Sequence, residues 1–321
     1  MPDLPKISVL MPAYNAAAYI HKAIETILSQ TYHNLELLII DDCSTDNTLS
    51  VIRSFNDPRL KWYRNEKNLG YLKTCNKLFD LAEGDFIAFQ DADDYSDPSR
   101  LELQMRQFEK NPALGVCGTN FTAVDEEGNI LFCTHYACDH ATIMEQMRHQ
   151  QFSLIPNSFL FRREILHTIG KYHEFWDRIG AEDYYWAYLI MEKYTLINIK
   201  QPLYYYRYNT RGVTGDFSDN RRKLHTYKIF QRLIDQRTRT GTDDLEQNNV
   251  EELNAFIDVL DKPYQLDPTL FYRELARRDF YGGNKKRALK FMRKAIALQP
   301  LRLDNYRTYF YYLRSRSGTK F

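Results

Sequence analysis

Asp91, Asp93 and Asp94 fall within four consecutive positions of the segment FIAFQDADDYSDPSR, residues 86–100, directly after the apolar run FIAF. Carboxylates this close repel one another, and burying them is costly unless a cation or a cationic ligand offsets their charge. Hard oxygen donors of this kind suit magnesium or manganese. The spacing excludes an EF-hand, because the Asn or Asp and the turn glycine that its loop requires are absent from their positions. A divalent ion held by few protein carboxylates completes its shell with waters and substrate phosphates. The pattern therefore points to a metal and a phosphate-bearing substrate.

Nothing else in the sequence is shaped to cradle that phosphate. The turn after the first strand, PAYNAAAY, contains no glycine, so neither a GxGxxG dinucleotide loop nor a P-loop is present. The metal is expected to take over that work.

The elements that must position these acids follow from periodicity. Strands are expected at Ile7 to Leu10, Leu35 to Ile40, Leu60 to Tyr63 and Phe86 to Phe89, with helices at Ala17 to Gln30, about Thr45 to Phe55, and Tyr71 to Leu81. This alternation implies βαβ crossovers, and runs such as LELLII and FIAF, apolar on both faces, imply a parallel sheet covered on both sides. In an open parallel sheet, ligands bind beyond the carboxyl ends of the strands. Four features lie at such ends: Pro12 to Asn15, Asp41 with Asp42, Arg64 with Asn65, and Asp91 to Asp94. Taken alone, Asp42 or Ser44 in DDCSTDNT reads equally well as a helix cap. Convergence on one sheet edge favours ligand binding.

After Pro98 a helix to about Lys110 is expected, and then two strands in VCGTNFTAVDEEGNILF, joined at Glu127, Gly128 and Asn129, where the sheet becomes mixed. From about Arg221 the chain reads as helical and richly charged, with RTRTGTDDLEQNN as a loop or linker. The expected fold class is α/β, a doubly wound, mostly parallel mixed sheet over residues 1–220, with a C-terminal helical appendage over 221–321. Tyr272, Leu275, Ala276, Gly283, Ala288, Met292, Ala295 and Pro300 fall at the spacings of one tetratricopeptide-like helix pair. One such unit cannot bury its face alone, so a hairpin docked on the catalytic domain is preferred to a partner-binding array.

The 321 residues carry 43 Lys and Arg against 42 Asp and Glu. This balance argues against a broadly basic nucleic-acid binder. The five cysteines, Cys43, Cys75, Cys117, Cys133 and Cys138, form no CxxC pair and suggest neither a disulfide framework nor a thiolate zinc site. The N-terminus lacks the features of a signal peptide, and no apolar run approaches the roughly 18 residues that span a bilayer. A cytoplasmic protein, at most peripheral at the inner face of the membrane, is expected.

Taken together, SVLMPAYNAAAYI, ELLIIDDCSTDNT, NEKNLGYLKTCN, GDFIAFQDADD and GAEDYYW resemble the successive motifs of family 2 glycosyltransferases of the GT-A fold, over roughly residues 6 to 210. The resemblance implies a nucleotide diphosphate sugar donor, most commonly UDP-linked, a divalent Mn²⁺ or Mg²⁺, and direct inverting, non-processive transfer to a glycan or lipid-linked acceptor, as in surface polysaccharide synthesis. By matching motif, Tyr14 contacts the nucleobase or ribose, Asp42 the base, Asp91 the ribose side of the donor and Asp93 the metal. Asp183 corresponds to the general base. Pro12, Asn15, Arg64 and Asn76 are donor-side candidates, Arg64 and Asn76 reading equally well as strand-end or helix-surface residues, and Glu182, Trp186, Tyr206 and Arg207 are candidates for acceptor or supporting roles.

The chemistry fits these roles. A Mg²⁺ or Mn²⁺ ion coordinated by Asp93 would stabilise the charge that builds on a departing nucleoside diphosphate. A positioned carboxylate taking the acceptor proton contributes typically about 10²- to 10⁴-fold. Glu182 would raise the pKa of Asp183 if both faced one pocket, although helix neighbours point apart. Taken alone, AED is an ordinary first helical turn. Lys73 reads as solvated rather than as a diphosphate contact. The run YYYRYNTRGVTG, Tyr204 to Gly215, forms either core or a wall for an acceptor sugar. Two departures from the family pattern stand out: Asn209 occupies a position where many relatives carry histidine, and no QxxRW motif is present. They leave a third protein ligand to the metal in doubt and speak against a membrane-embedded polymer synthase.

The last segment places Arg302, Arg307, Arg314, Arg316 and Lys320 among aromatics. It reads as a packed helix with a solvated face, or as a helix lying on an anionic membrane. Two rival functions differ in class. A sugar-phosphate nucleotidyltransferase should carry a Gly-rich basic loop after the first strand, which is missing, and a catalytically inactive sugar-nucleotide scaffold should not keep Asp91, Asp93 and Asp183.

Overall fold

The computed structural model describes residues 4–208 and 221–316. Two compact units divide the chain between Gly212 and Val213. In chain order the first contains β1 (Ile7–Ala13), α1 (Ile20–Leu28), β2 (Leu35–Asp41), α2 (Thr48–Arg53), β3 (Leu60–Arg64), α3 (Tyr71–Leu81), β4 (Phe86–Phe89) and β5 (Tyr95–Ser96). It continues with α4 (Arg100–Lys110), β6 (Leu114–Val124), β7 (Ile130–Cys133), α5 (His140–Arg148), β8 (Leu160–Arg162), α6 (Ile165–Thr168), α7 (Glu182–Met191) and β9 (Thr195–Arg207). The strands form one sheet in the order β3-β2-β1-β4-β8-β6-β9-β5, with β7 paired to β6. β3, β2, β1 and β4 run parallel, β8 is antiparallel to β4 and β6, and β9 returns parallel to β6.

Alternation along each strand feeds two layers. Ile7, Val9 and Met11 of β1 point with Phe86 and Ala88 of β4 into a core shared with Ile20, Ile24 and Ile27 of α1 and Leu101, Met105 and Phe108 of α4. On the opposite face Phe89 meets an aromatic cluster of Phe79, Phe161, Tyr172 and Trp186, with ring centroids 5.6 to 6.4 Å from Phe89. The mixed α/β architecture and the β6–β7 hairpin are as expected. Asp125 N donates to the Asn129 carbonyl at 2.9 Å across that turn, and Gly128 takes the left-handed φ of 92° that it requires.

Three expectations need correction. α1 begins at Ile20, because residues 17–19 are spent turning the chain: Tyr19 N and Ile20 N both donate to the Ala16 carbonyl. α2 is likewise confined to Thr48–Arg53, after a polar loop held by Asp46 and Thr48. Finally, RTRTGTDDLEQNN is not a loop throughout, since its first four residues close a long helix.

That helix opens the second unit: α8 (Arg222–Thr240), α9 (Val250–Leu266), α10 (Pro268–Tyr281), α11 (Lys285–Leu298) and α12 (Leu303–Arg314). Gly241, at φ 77°, ends α8, and Arg237 on its last turn is buried against Asp243 and Glu246 at 3.0 and 2.7 Å. Leu275, Ala276 and Phe280 of α10 pack with Ala288, Met292 and Ala295 of α11 and with Tyr312 of α12. No helix among the described residues is long and apolar enough to cross a membrane.

Candidate active site

The carboxyl ends of β1 to β4 bring most of the anticipated residues to one edge. Asp91 follows β4 and lies partly accessible, with both carboxylate oxygens engaged by neutral donors. Tyr71 donates its hydroxyl to Oδ1 at 3.2 Å and Asn157 donates its amide to Oδ2. Side-chain oxygens of Asp91, Asp93 and Asp94 all lie within 4.8 Å of one another. Burial, followed by the charges of Asp93 and Asp183, raises the Asp91 pKa to about 7. Asp94 is 2% exposed and rises too, from burial first and then from Asp93 and Asp91. Its Oδ1 accepts from Arg207 N at 2.7 Å, whereas its buried Oδ2 has no hydrogen-bond partner. Hard oxygens, an orphaned buried carboxylate oxygen and mutual repulsion fit a divalent cation.

Arg207, at the end of β9, shapes this loop. Its Nε donates to the Asp93 carbonyl at 2.9 Å, and one terminal nitrogen donates to the carbonyls of Asp125 and Glu126 at 2.8 and 2.9 Å. The guanidinium also covers the Tyr19 ring, 4.7 Å from its centroid. Its charge therefore acts through backbone contacts that fix where the acids point. Tyr204 is buried and accepts from Asp91 N at 3.2 Å, Tyr205 stacks on Tyr95 at 4.5 Å, and Tyr206 is half-buried against Phe121. The tyrosine run thus divides between core and wall; its continuation, with Asn209, lies outside the described residues.

The loops after β1 and β2 are stapled to each other. Asn15, in the left-handed region at φ 49°, donates its N–H to Ser44 Oγ and accepts from Thr45 N, both at 2.9 Å. Tyr14 beside it is 49% exposed, whereas Pro12 is buried inside β1 opposite Ile40. Asp42 is 3% exposed and accepts from Asn65 Nδ2, Leu69 N and Gly70 N at 2.8, 2.8 and 2.9 Å. Arg64 pairs with buried Asp41 at 3.2 Å. Asn76 spends both ends of its amide on the Tyr172 backbone, at 2.9 and 3.1 Å, and so fixes α3 rather than presenting itself to solvent. Lys73 pairs with Asp177 at 3.1 Å.

Glu182 and Asp183 form the first turn of α7. The chain enters that turn through Gly180 and Ala181 at φ 90° and 72°; a non-glycine residue in this region costs of order 1–3 kcal/mol and is concentrated at functional sites. Burial raises the Asp183 pKa to about 6, against the Tyr184 N–H that Oδ1 accepts at 2.8 Å. Glu182 rises to about 8, through burial first and then the charge of Asp183. The two first-turn acids oppose joint ionisation, and the pair as a whole is held above the usual carboxylate range. Trp186, one turn on, is 1% exposed in the aromatic core, and its indole N–H donates to the Gly170 carbonyl at 2.8 Å. It supports α7 from behind.

Sequence reasoning missed Tyr71 and Asn157. Tyr71 reads as a helix-start aromatic, and Asn157 lies in a stretch without usable periodicity.

Among known proteins, EpsE of Bacillus subtilis (strain 168) is 41% identical over 127 residues, 39% of this chain and 46% of that protein. An Escherichia coli enzyme, UDP-Glc:alpha-D-GlcNAc-diphosphoundecaprenol beta-1,3-glucosyltransferase WfgD, is 42% identical over 105 residues, 33% of this chain and 42% of that one. These matches span about half or less of the relatives' own lengths. The crystal structure of S. aureus TarS 1-349 in complex with UDP superposes with a TM-score of 0.54 at 19% identity, covering 96% of this chain and 91% of that one. It shares the GT-A-like fold. The model of glycosyl transferase family 2 matches residues 8–170, half of the sequence and every candidate site residue before α7, and the chain belongs to that family.

Proposed function

We propose that the protein is a metal-dependent, inverting glycosyltransferase that moves a sugar from a nucleotide diphosphate sugar, UDP-linked, to a hydroxyl of a glycan or lipid-linked acceptor. The observation that carries this reading is the juxtaposition of two carboxylate groups with different surroundings. Asp91, Asp93 and Asp94 gather within 4.8 Å at the end of β4, and Asp183 stands near enough that its charge raises the Asp91 pKa. Known relatives lend support: TarS has been crystallised with UDP and with UDP-GlcNAc, and WfgD is named for a UDP-glucose donor and a diphosphoundecaprenol-linked acceptor.

Asp93, with Asp91 beside it, is the residue to hold a Mn²⁺ or Mg²⁺ ion, which when bound stabilises negative charge on the leaving diphosphate. Asp91 faces the ribose side of the donor, and exposed Tyr14 offers a ring for the base. The Asp42 carboxylate has about four acceptor sites, of which three are used, so one remains for an imide N–H. Arg64 pairs with Asp41 and thereby borders the same edge. Asp183, poised near pH 6 by burial, takes the proton of the acceptor hydroxyl, and this assigns the opposite face of the sugar to attack. Glu182, Trp186, Tyr206 and Arg207 position the loop and helix that carry these groups.

The test is transfer from UDP-sugars with an undecaprenyl-type or oligosaccharide acceptor, with the anomeric product read by NMR. Asp183→Asn should bind UDP while losing transfer, and product from wild type should carry inverted configuration. Retained configuration would overturn the assignment of Asp183.

A further inference from the structure

We propose that the outward faces of α11 and α12 form a docking surface for an anionic lipid bilayer. Between Lys285 and Arg316 stand ten Lys and Arg residues against one acid, Asp304, a net +9 within a chain whose overall charge is +1. The helices arrange that charge beside exposed apolar groups. On α12, Leu303, Arg307, Phe310, Tyr311 and Arg314 recur at the i, i+4, i+7, i+8, i+11 spacing of one helix face, and all are exposed. The opposite face is committed to the unit's own core: Tyr312 is buried there, and Asn305 donates to the Ala295 carbonyl at 3.2 Å. On α11 the exposed Lys286, Lys290, Arg293 and Lys294 form a second stripe at the same kind of spacing.

The turn between the two helices supplies the apolar part. Leu301 is 95% exposed and Leu303 69%, with Leu298 at 52% beside them. Leucines so placed gain free energy only when water is removed from them. Lys and Arg around them are what anionic headgroups attract, and Phe310 and Tyr311 suit the headgroup level. A polyanion such as RNA would satisfy the charges but leave the leucines wet. Some of the charge is already spent: Arg302 pairs with Asp267 at 2.7 Å and Arg287 with Asp279 at 2.5 Å, while Arg307 makes only an exposed contact with Asp304 at 3.4 Å. The surface is a property of the helical unit and does not rest on the transfer reading.

Sedimentation of the full chain with vesicles tests it, since it reads binding rather than turnover. Vesicles of phosphatidylcholine with one third phosphatidylglycerol should bind the protein, and pure phosphatidylcholine should not. Arg307→Gln with Arg314→Gln should weaken binding by about 25-fold, from about fivefold per basic residue. Leu301→Ser with Leu303→Ser should weaken it while leaving the salt dependence in place. These side chains are exposed, so a thermal melt matching wild type is expected, and a lowered melt calls for Leu301→Gln alone as the reading variant. Absence of binding to anionic vesicles, unchanged binding by both double variants, or capture by RNA without vesicle binding would each overturn the proposal.

Discussion

Replacing Asp93 by asparagine should stabilise the metal-free protein at alkaline pH while removing its response to metal. The Asp91 pKa rises from its usual 3.8 to about 7, so ionising Asp91 withdraws about 4 kcal/mol from the fold once the pH exceeds 7. Burial is the larger cause and the Asp93 charge the second. Two charges 4.8 Å apart at an effective dielectric of about 20 interact by roughly 3 kcal/mol, while a minority share of the total gives about 1. Asp93→Asn should therefore recover about 1 to 3 kcal/mol, or roughly 2 to 10 °C in a unit of this size. The sign depends on pH. A carboxyl whose folded pKa is raised binds more protons folded than unfolded, so stability falls as pH climbs from about 4 to 7. At pH 5 Asp91 is protonated in both proteins and the gain should vanish; at pH 8 it should be full. Thermal melts in EDTA from pH 5 to 8 measure this directly, and added Mn²⁺ should raise the melt of wild type only. A variant less stable than wild type at pH 8 in EDTA, or a gain equal at both ends of the range, would refute the reasoning.

Three further outcomes follow from the same geometry. Asp183→Asn should lower the transfer rate by about 10²- to 10⁴-fold, and the wild-type rate should fall on the acid side near pH 6 as the base protonates; an acid limb unchanged in a residually active variant would contradict the role. Arg207→Ala removes the guanidinium hydrogen bonds to the Asp93, Asp125 and Glu126 carbonyls and should cost roughly 3 kcal/mol by denaturant unfolding, with metal affinity falling as well, whereas a loss under about 0.5 kcal/mol would show that the loop holds itself. Gly84→Ala places a Cβ 2.6 Å from Ser8 N and 2.7 Å from the Lys6 carbonyl, both backbone, so it should destabilise by about 1–3 kcal/mol or more where a surface alanine would be neutral.

Most of the parallel half of the sheet was legible because β1, β2 and β4 are buried on both faces and the helices carry a 3.6-residue period, as Ile20, Ile24 and Ile27 show. The acidic loop stood out by composition alone. What pairs with it was hidden, since β5 has two residues, β8 three, and their partners lie far along the chain: Tyr95 beside Tyr205, Phe86 beside Arg162. Strands of two or three residues carry no alternation to read. For the same reason the donors to Asp91 could not be anticipated, because Asn157 reaches it across 66 positions. Asn76 looked like a ligand residue from its motif, and only the fold reveals that its amide is occupied by Tyr172. The extent of α8 escaped because Arg237, charged and near a glycine, is buried by acids that follow it.

The central claim is that the acids after β4 hold a nucleotide diphosphate through a divalent ion, and calorimetric titration of UDP tests it most directly. Wild type should bind UDP in Mn²⁺, lose at least tenfold in affinity in EDTA, and lose the metal dependence in Asp93→Ala. UDP binding that is equally tight with and without metal, and unaltered in Asp93→Ala, would contradict the account.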